Sequence, residues 1–355
     1  MALGALLAAW VALLVVLAPF VLAGGDAPST ARASAKPRPP ADAISIAWAG
    51  DITPGSRYGN PPEGGRALFG EVRSLVSRAD LAIGNLEGTL SVGGASKCGT
   101  DAGNCFSFQA PPANAAALRW AGFDLLNVAN NHAFDFGQDG QHQTLAALSA
   151  NRLAHTGRPG EITLLRRRGV QIAVVGFAPY PWASDLRNLS AVSDLVRRAA
   201  AQAQLVIVLA HLGGEGSDQT HIPDGREIAM GEDRGDTKAF ARAAVDAGAD
   251  LVLGSGPHVL RGIEFHRGKL IAYSLGNFAG WHNFSTSGSL ALSGLLTVHL
   301  TPRGHLRGGK FTALRLDGAG APSPDPSGEA TALVNRLGGE DFGGSALRLM
   351  ADGSF

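Results

Sequence analysis

Net charge is missing from this chain: 30 basic side chains stand against 30 acidic ones. That balance argues against a nucleic-acid binder whose affinity rests on a general positive field. Charge of either sign is sparse, at 17% of residues against 45% apolar, which excludes an intrinsically disordered chain. Cysteine is nearly absent, with only Cys98 and Cys105 in 355 residues. No internal repeat is visible, and the 48 glycines follow no collagen-like period. Glycine is nevertheless about twice as frequent as usual, which points to many tight turns at the ends of buried elements.

Charge is wholly lacking from residues 2–23 (ALGALLAAWVALLVVLAPFVLA). A mostly apolar run of that length can cross a hydrocarbon core of about 30 Å as a helix. It has no basic start and exceeds the apolar core of about 7–15 residues usual in a signal peptide. Residues 1–23 therefore read as an uncleaved membrane anchor. Val21-Leu22-Ala23 offers a cleavage site for the alternative, a cleaved signal. Arg32, Lys36 and Arg38 on the far side run against the tendency of positive charge to stay inside. Residues 24–43, with Pro28, Pro37, Pro39 and Pro40, read as a flexible linker. Residues 44–355 remain as one folded, extracytoplasmic domain at the cell membrane, or a secreted one if the leader is cleaved. In an exported protein Cys98 and Cys105 read as a local disulfide; a metal or redox pair would want tighter spacing and further ligands.

From Ile44 onward, short apolar runs alternate with helix-like stretches. The strand candidates are 44–48, 81–83, 125–128, 171–177, 205–209 and 251–253. Between them, Leu68, Phe69, Val72, Leu75 and Val76 show helical spacing, as do Leu145 and Leu148. Phe240, Ala244 and Val245 mark another helix, stopped at Gly248. Such alternation indicates an α/β fold with strands buried on both faces. From Ile263 the pattern changes to paired strands, 263–266 with 270–274 and 295–300 with 311–316. These read as C-terminal β-hairpins closing a second sheet, with a weak helix near 329–337.

Ligand-type residues fall just after the carboxyl ends of the apolar runs, where open α/β sheets place their ligand crevice. Asp51 follows the first run, Asn85 and Glu87 the second, and Asn130, Asn131 and His132 the third, with Asp135 one turn on. His211 and His258 follow the later runs. Taken singly, each has a bland reading as a turn, cap or structural residue. Helix caps, however, would not need two histidines and two carboxylates converging on one edge. Carboxylate, amide oxygen and imidazole together suit Mn, Zn or Fe at one or two centres, with Glu87 able to bridge them. Arg57 is a candidate for holding a carboxylate or phosphate. Glu215, His221, Glu227, Glu232 and Arg234 crowd a long polar loop of the kind that is often functional. Arg166-Arg167-Arg168 before Gly169 reads as a charged hairpin tip.

The segments WAGDITPGSR, ADLAIGNLEGTL, NVANNHAFDFG, LAHLGGEG, GADLVLGSGPHVL and LIAYSLGNF span Trp48 to Phe278 in order. Together they resemble the CapA, or poly-γ-glutamate capsule synthesis, family of the calcineurin-like metallophosphatase superfamily. The resemblance implies a four-layer αββα sandwich of two mixed sheets flanked by helices, with a divalent metal centre at the strand ends. It implies a membrane-anchored, outward-facing protein linked to an anionic polymer such as poly-γ-glutamate. Asp51 matches the first metal aspartate, Glu87 stands for the bridging aspartate, and Asn131, His211 and His258 match further metal ligands. His132 matches the histidine that assists the reaction. Thr53 occupies the place of a second ligand, and Ser255 and Gly256 stand where family members often carry histidines. Glu215, His221 or water would have to compensate, and the number of metals stays open.

Two functions follow. One is a metal-dependent hydrolase or transferase in which His132, oriented by Asp135, acts as general acid on an amide or phosphoester, with Arg57 and Glu215 contacting substrate. The other is a non-catalytic accessory subunit that binds or exports the anionic polymer, or its precursor, beside a membrane synthase complex.

Overall fold

Ile44, Ile46 and Trp48 face one side of the first strand, Ile44–Thr53, while Ala47 and Ala49 face the other. Both sets are buried, as expected for a strand with another layer on each face. The strand is central to a sheet ordered Ala321–Pro324, Leu306–Asp317, Leu292–Leu300, Ile44–Thr53, Leu81–Leu86, Leu125–Asn127 and Ala154–Thr156. Asn277–Gly280 adds a parallel partner at the carboxyl end of Ile44–Thr53, pairing Asp51 with Asn277. The computed structural model describes residues 42–99 and 105–355, so the leader and nearly all of the linker lie outside the described residues. No helix among the described residues is long and apolar enough to cross a membrane.

The second sheet runs Ile263–His266, Lys269–Ala272, Leu251–Ser255, Leu205–His211, Val170–Phe177 and Thr163–Arg167. Its inward residues, among them Ile172, Val174, Ile207, Leu209 and Leu253, share one core with Ile46, Trp48, Ile83 and Leu125 of the first sheet. Trp48 Nε1 crosses that core to donate to the Gly254 carbonyl at 3.1 Å. The outer face of the first sheet packs on Leu68, Phe69, Val76, Leu118 and Leu148, and that of the second on Val192, Val196, Phe240 and Ala244. The order is therefore helices, sheet, sheet, helices: an α/β fold in the four-layer αββα arrangement.

Two expectations need correction. The hairpins do not close one sheet. Ile263–His266 and Lys269–Ala272 join the second, whereas Leu292–Leu300 and Leu306–Asp317 join the first beside Ile44–Thr53. The helical spacing from Leu68 to Val76 does not make one helix. The segment is a 3-10 stretch, Glu63–Phe69, that ends at Gly70 and is itself kinked at Gly64 and Gly65 (φ 62° and 92°), followed by one separate α-turn, Arg73–Val76. The Arg166–Arg168 segment does lie at a hairpin tip, where Arg167 pairs with Val170.

Candidate metal centre

The parallel strands of both sheets end at one edge, and a register shift around Gly50 sets Asp51 opposite Asn85 in the last rungs of its ladder with Leu81–Leu86. Asp51 is fully buried, and Asn85 Nδ2 donates to its Oδ1 at 2.8 Å. Its Oδ2 accepts from the Gly256 backbone at 3.3 Å and lies 3.3 Å from His258 Nδ1. Glu87 follows the neighbouring strand and is also fully buried, with Oε1 3.6 Å from His258 Nε2 and 4.0 Å from His132 Nε2. His258 adopts the left-handed φ of 63°, a strain that marks functional positions when the surroundings hold it. Asn277 Oδ1, 2.8 Å from its Nδ1, helps to do so. Gly256 sits at φ 115° with no room for a side chain against the Leu212 backbone.

Donor atoms of Asp51, Glu87 and His258 all lie within 4.8 Å of one another. Both oxygens of Glu87, Oδ1 of Asn131 and Nε2 of His211 are buried with no hydrogen-bond partner among the described residues. Orphaned buried acceptors are costly and rare. Four on carboxylate, amide and imidazole groups at one place fit a divalent cation. His211 Nδ1 lies 3.3 Å from Asn85 Nδ2, which turns Nε2 away from the Asp51–Asn85 pair. Burial works against ionised Asp51, but His258, His211 and Asn85 outweigh it and hold the carboxyl below its ordinary value. Burial pushes Glu87 well above the usual carboxyl range. Burial also opposes the His258 cation, yet Glu87 and Asp51 raise it to about 10. A cation bound here would displace the protons that Glu87 and His258 hold.

A family model described as bacterial capsule synthesis protein PGA_cap matches residues 45–280, more than half of the chain. The chain belongs to that family. It is 28% identical over 298 residues to the PGA biosynthesis protein CapA of Bacillus subtilis, covering 78% of this chain and 72% of that one. It is 29% identical over 269 residues to the capsule biosynthesis protein CapA of Bacillus anthracis, covering 67% of this chain but only 61% of that one. Among solved structures it is similar to a hypothetical protein of Thermus thermophilus (16% identity, TM-score 0.47, 77% of this chain and 99% of that one). A 5'-nucleotidase precursor of the same organism aligns at 16% identity and TM-score 0.45, over 83% of this chain and 58% of that one.

Further buried polar side chains stand around the cradle of this family member. His132 is buried, and its Nδ1 lies 2.7 Å from Asp135 Oδ2, leaving Nε2 turned toward Glu87. Burial lowers the His132 imidazole, against the pull of Asp135. Asn130 supports this turn: its side chain donates to Leu86 O and accepts from the His132 backbone. Glu215 accepts from Asn131 at 3.1 Å and pairs with Arg234 at 2.7 Å. Burial opposes that carboxylate, but His211, His258 and Arg234 hold it far below the usual range. A pocket of about 380 Å³ opens beside these groups, lined by Lys97, Phe106, Asn131, His132, Trp182 and Arg234 among others.

Arg57 is exposed and bonds the Tyr58 hydroxyl; it is not among the groups brought to the centre. His221 is half exposed and bonds Asp341, so it cannot stand in for a missing ligand. Glu227 serves a structural end, pairing with fully buried Arg261 at 2.7 Å and accepting from Gly214 N–H just ahead of Glu215. Thr53 is buried with an unpartnered hydroxyl. Cys98 and Cys105 are joined as a disulfide. Sequence reasoning missed Lys97, Phe108 and Asn277. Only Asn277 carried a signal, its place directly after Leu275-Gly276 within a quoted segment.

Proposed function

We propose that this capsule-synthesis family member is an extracytoplasmic metal-dependent hydrolase or transferase acting on an anionic polymer or its precursor, held at the membrane by its N-terminal segment. The observation that carries the reading is Glu87: a fully buried carboxylate with no hydrogen-bond partner, facing His258 on one side and His132 on the other. Asp51, Glu87 and His258 would hold the cation, with Asn131 and His211 offering further donors. A bound divalent ion at such a site lowers the pKa of a water and polarises the attacked carbonyl or phosphoryl group. The chain itself handles the proton: Asp135 holds His132 Nδ1, so Nε2 is the atom that takes up a proton and, once the ring is protonated, gives it to a leaving group. Tyr180 and Trp182 stack on each other in the pocket wall, and Phe134 stacks on Trp182.

Metal content per full-length chain, measured beside Glu87→Ala and His258→Ala, tests the site. His132→Ala tests the chemistry. Loss of turnover with metal retained supports an enzyme. Unchanged polymer handling in His132→Ala would favour the second reading, a metal-containing accessory subunit beside a synthase. That second reading is favoured by Thr53, which stands in the place of a second metal ligand.

A further inference from the structure

Asp135 is gripped from two sides by residues flanking the disulfide. On one side, the Lys97 backbone N–H donates to Asp135 O at 2.7 Å, and Lys97 Nζ pairs with Oδ1 at 2.7 Å and reaches Asn131 O at 3.2 Å. On the other, Phe108 N–H donates to Oδ2 at 2.6 Å, and the Phe108 ring lies 4.3 Å from the His132 ring. Cys98 directly follows Lys97, and Cys105 precedes Phe108 by three residues.

The two grips are anchored differently. Phe108 is tied to the scaffold by its own ladder, since Thr89 N–H donates to Phe108 O and Ser91 N–H to Ala110 O. Lys97 has no strand pairing; beyond Asp135, Asn131 and a 3.5 Å approach of Nζ to His132 Nδ1, its flank is held by the disulfide and by Ser96 Oγ donating to Ser107 Oγ at 2.8 Å. With Oδ1 on Lys97 and Oδ2 shared by Phe108 and His132, the Asp135 carboxylate has one plane open to it. That plane sets the imidazole with Nε2 toward Glu87, 4.0 Å away.

We propose that Lys97 is a positioning residue for His132, acting through Asp135, and that the Cys98–Cys105 disulfide is what keeps it there. Its catalytic consequence rests on the hydrolase reading above; its structural part does not. A dithiol reductant supplies two electrons and two protons, converting the bridge to two thiols and itself to a disulfide. Reduction then frees the Lys97 flank while Phe108 stays on its ladder.

The test uses the full-length chain, metal-loaded, with residue-resolved amide exchange by NMR and turnover of bis-p-nitrophenyl phosphate. Under a dithiol, exchange of the Lys97 amide should accelerate about tenfold or more while that of Phe108 is unchanged. Cys98→Ser with Cys105→Ser should reproduce this, and reduction of the native chain gives the same reading if that variant does not fold. Lys97→Met should lower kcat about 10–100-fold, the usual cost of losing an outer hydrogen-bonding partner, with KM and metal content retained. Lys97→Arg should restore most of it. Equal exchange at Lys97 before and after reduction overturns the proposal, as does Lys97→Met at parental kcat. A parent with metal but no turnover would refute the hydrolase reading alone, and the exchange measurements would still decide whether the disulfide holds Lys97 in place.

Discussion

Glu87→Gln should abolish the stability that the parent gains on binding metal. In the metal-free chain both Glu87 oxygens are buried without a hydrogen-bond partner. A buried polar group left in that state costs about 1–3 kcal/mol, and more when charged. Burial raises the carboxyl well above its ordinary value, so the folded state keeps a proton that the unfolded state releases. Metal-free stability therefore falls as pH rises past the usual carboxyl range. His258 acts in the same direction: raised to about 10, its contribution is complete below the ordinary imidazole value and is lost as pH rises toward 10. The glutamine variant cannot ionise at this position, so its metal-free stability should depend less on pH than the parent's. A cation at about 100 times its dissociation constant adds about 2.7 kcal/mol to a chain that binds it only when folded. At about 2–4 °C per kcal/mol for a large domain, the parent should gain roughly 5–10 °C in Tm, and the variant nothing. Scanning calorimetry with and without Mn, Zn or ferrous iron reads both. A variant that keeps the metal-dependent shift, or whose metal-free stability falls with pH as steeply as the parent's, refutes the reasoning.

Metal binding should release about one to two protons and weaken as pH falls, because raised Glu87 and His258 must give theirs up; titration calorimetry in buffers of different ionisation enthalpy counts them. Glu227→Ala should destabilise by about 3–5 kcal/mol by leaving the Arg261 charge buried alone. Replacing Arg261 and Glu227 together with methionine should recover much of that loss in denaturant unfolding. Gly50→Ala should cost about 1–3 kcal/mol or more, since its Cβ would collide with the Gly276 carbonyl oxygen. The same variant should lose metal by displacing Asp51, and metal analysis on the folded fraction checks this.

How far the sequence reaches depends on the range of the interactions involved. By itself it determined the strand–helix alternation, because apolar periodicity is a local property, and it located Asp51, Glu87, His132, His211 and His258, because each stands directly after a buried run. It also determined that Cys98 and Cys105 could pair only with each other. Family membership followed from short motifs in fixed order. Only the tertiary structure decided which sheet each hairpin joins, since the edge beside Ile44–Thr53 and the edge beside Leu251–Ser255 accept equally apolar strands. Only it separated Glu215, drawn in by Arg234 and Asn131, from Arg57 and His221, whose side chains find exposed partners instead. Lys97 was illegible for the same reason. A lysine in a polar loop has no pattern of its own, and its role exists only because the chain on both sides of the disulfide returns to Asp135. Burial periodicity is written along the chain; the meeting of loops above a sheet edge is written only in the folded geometry.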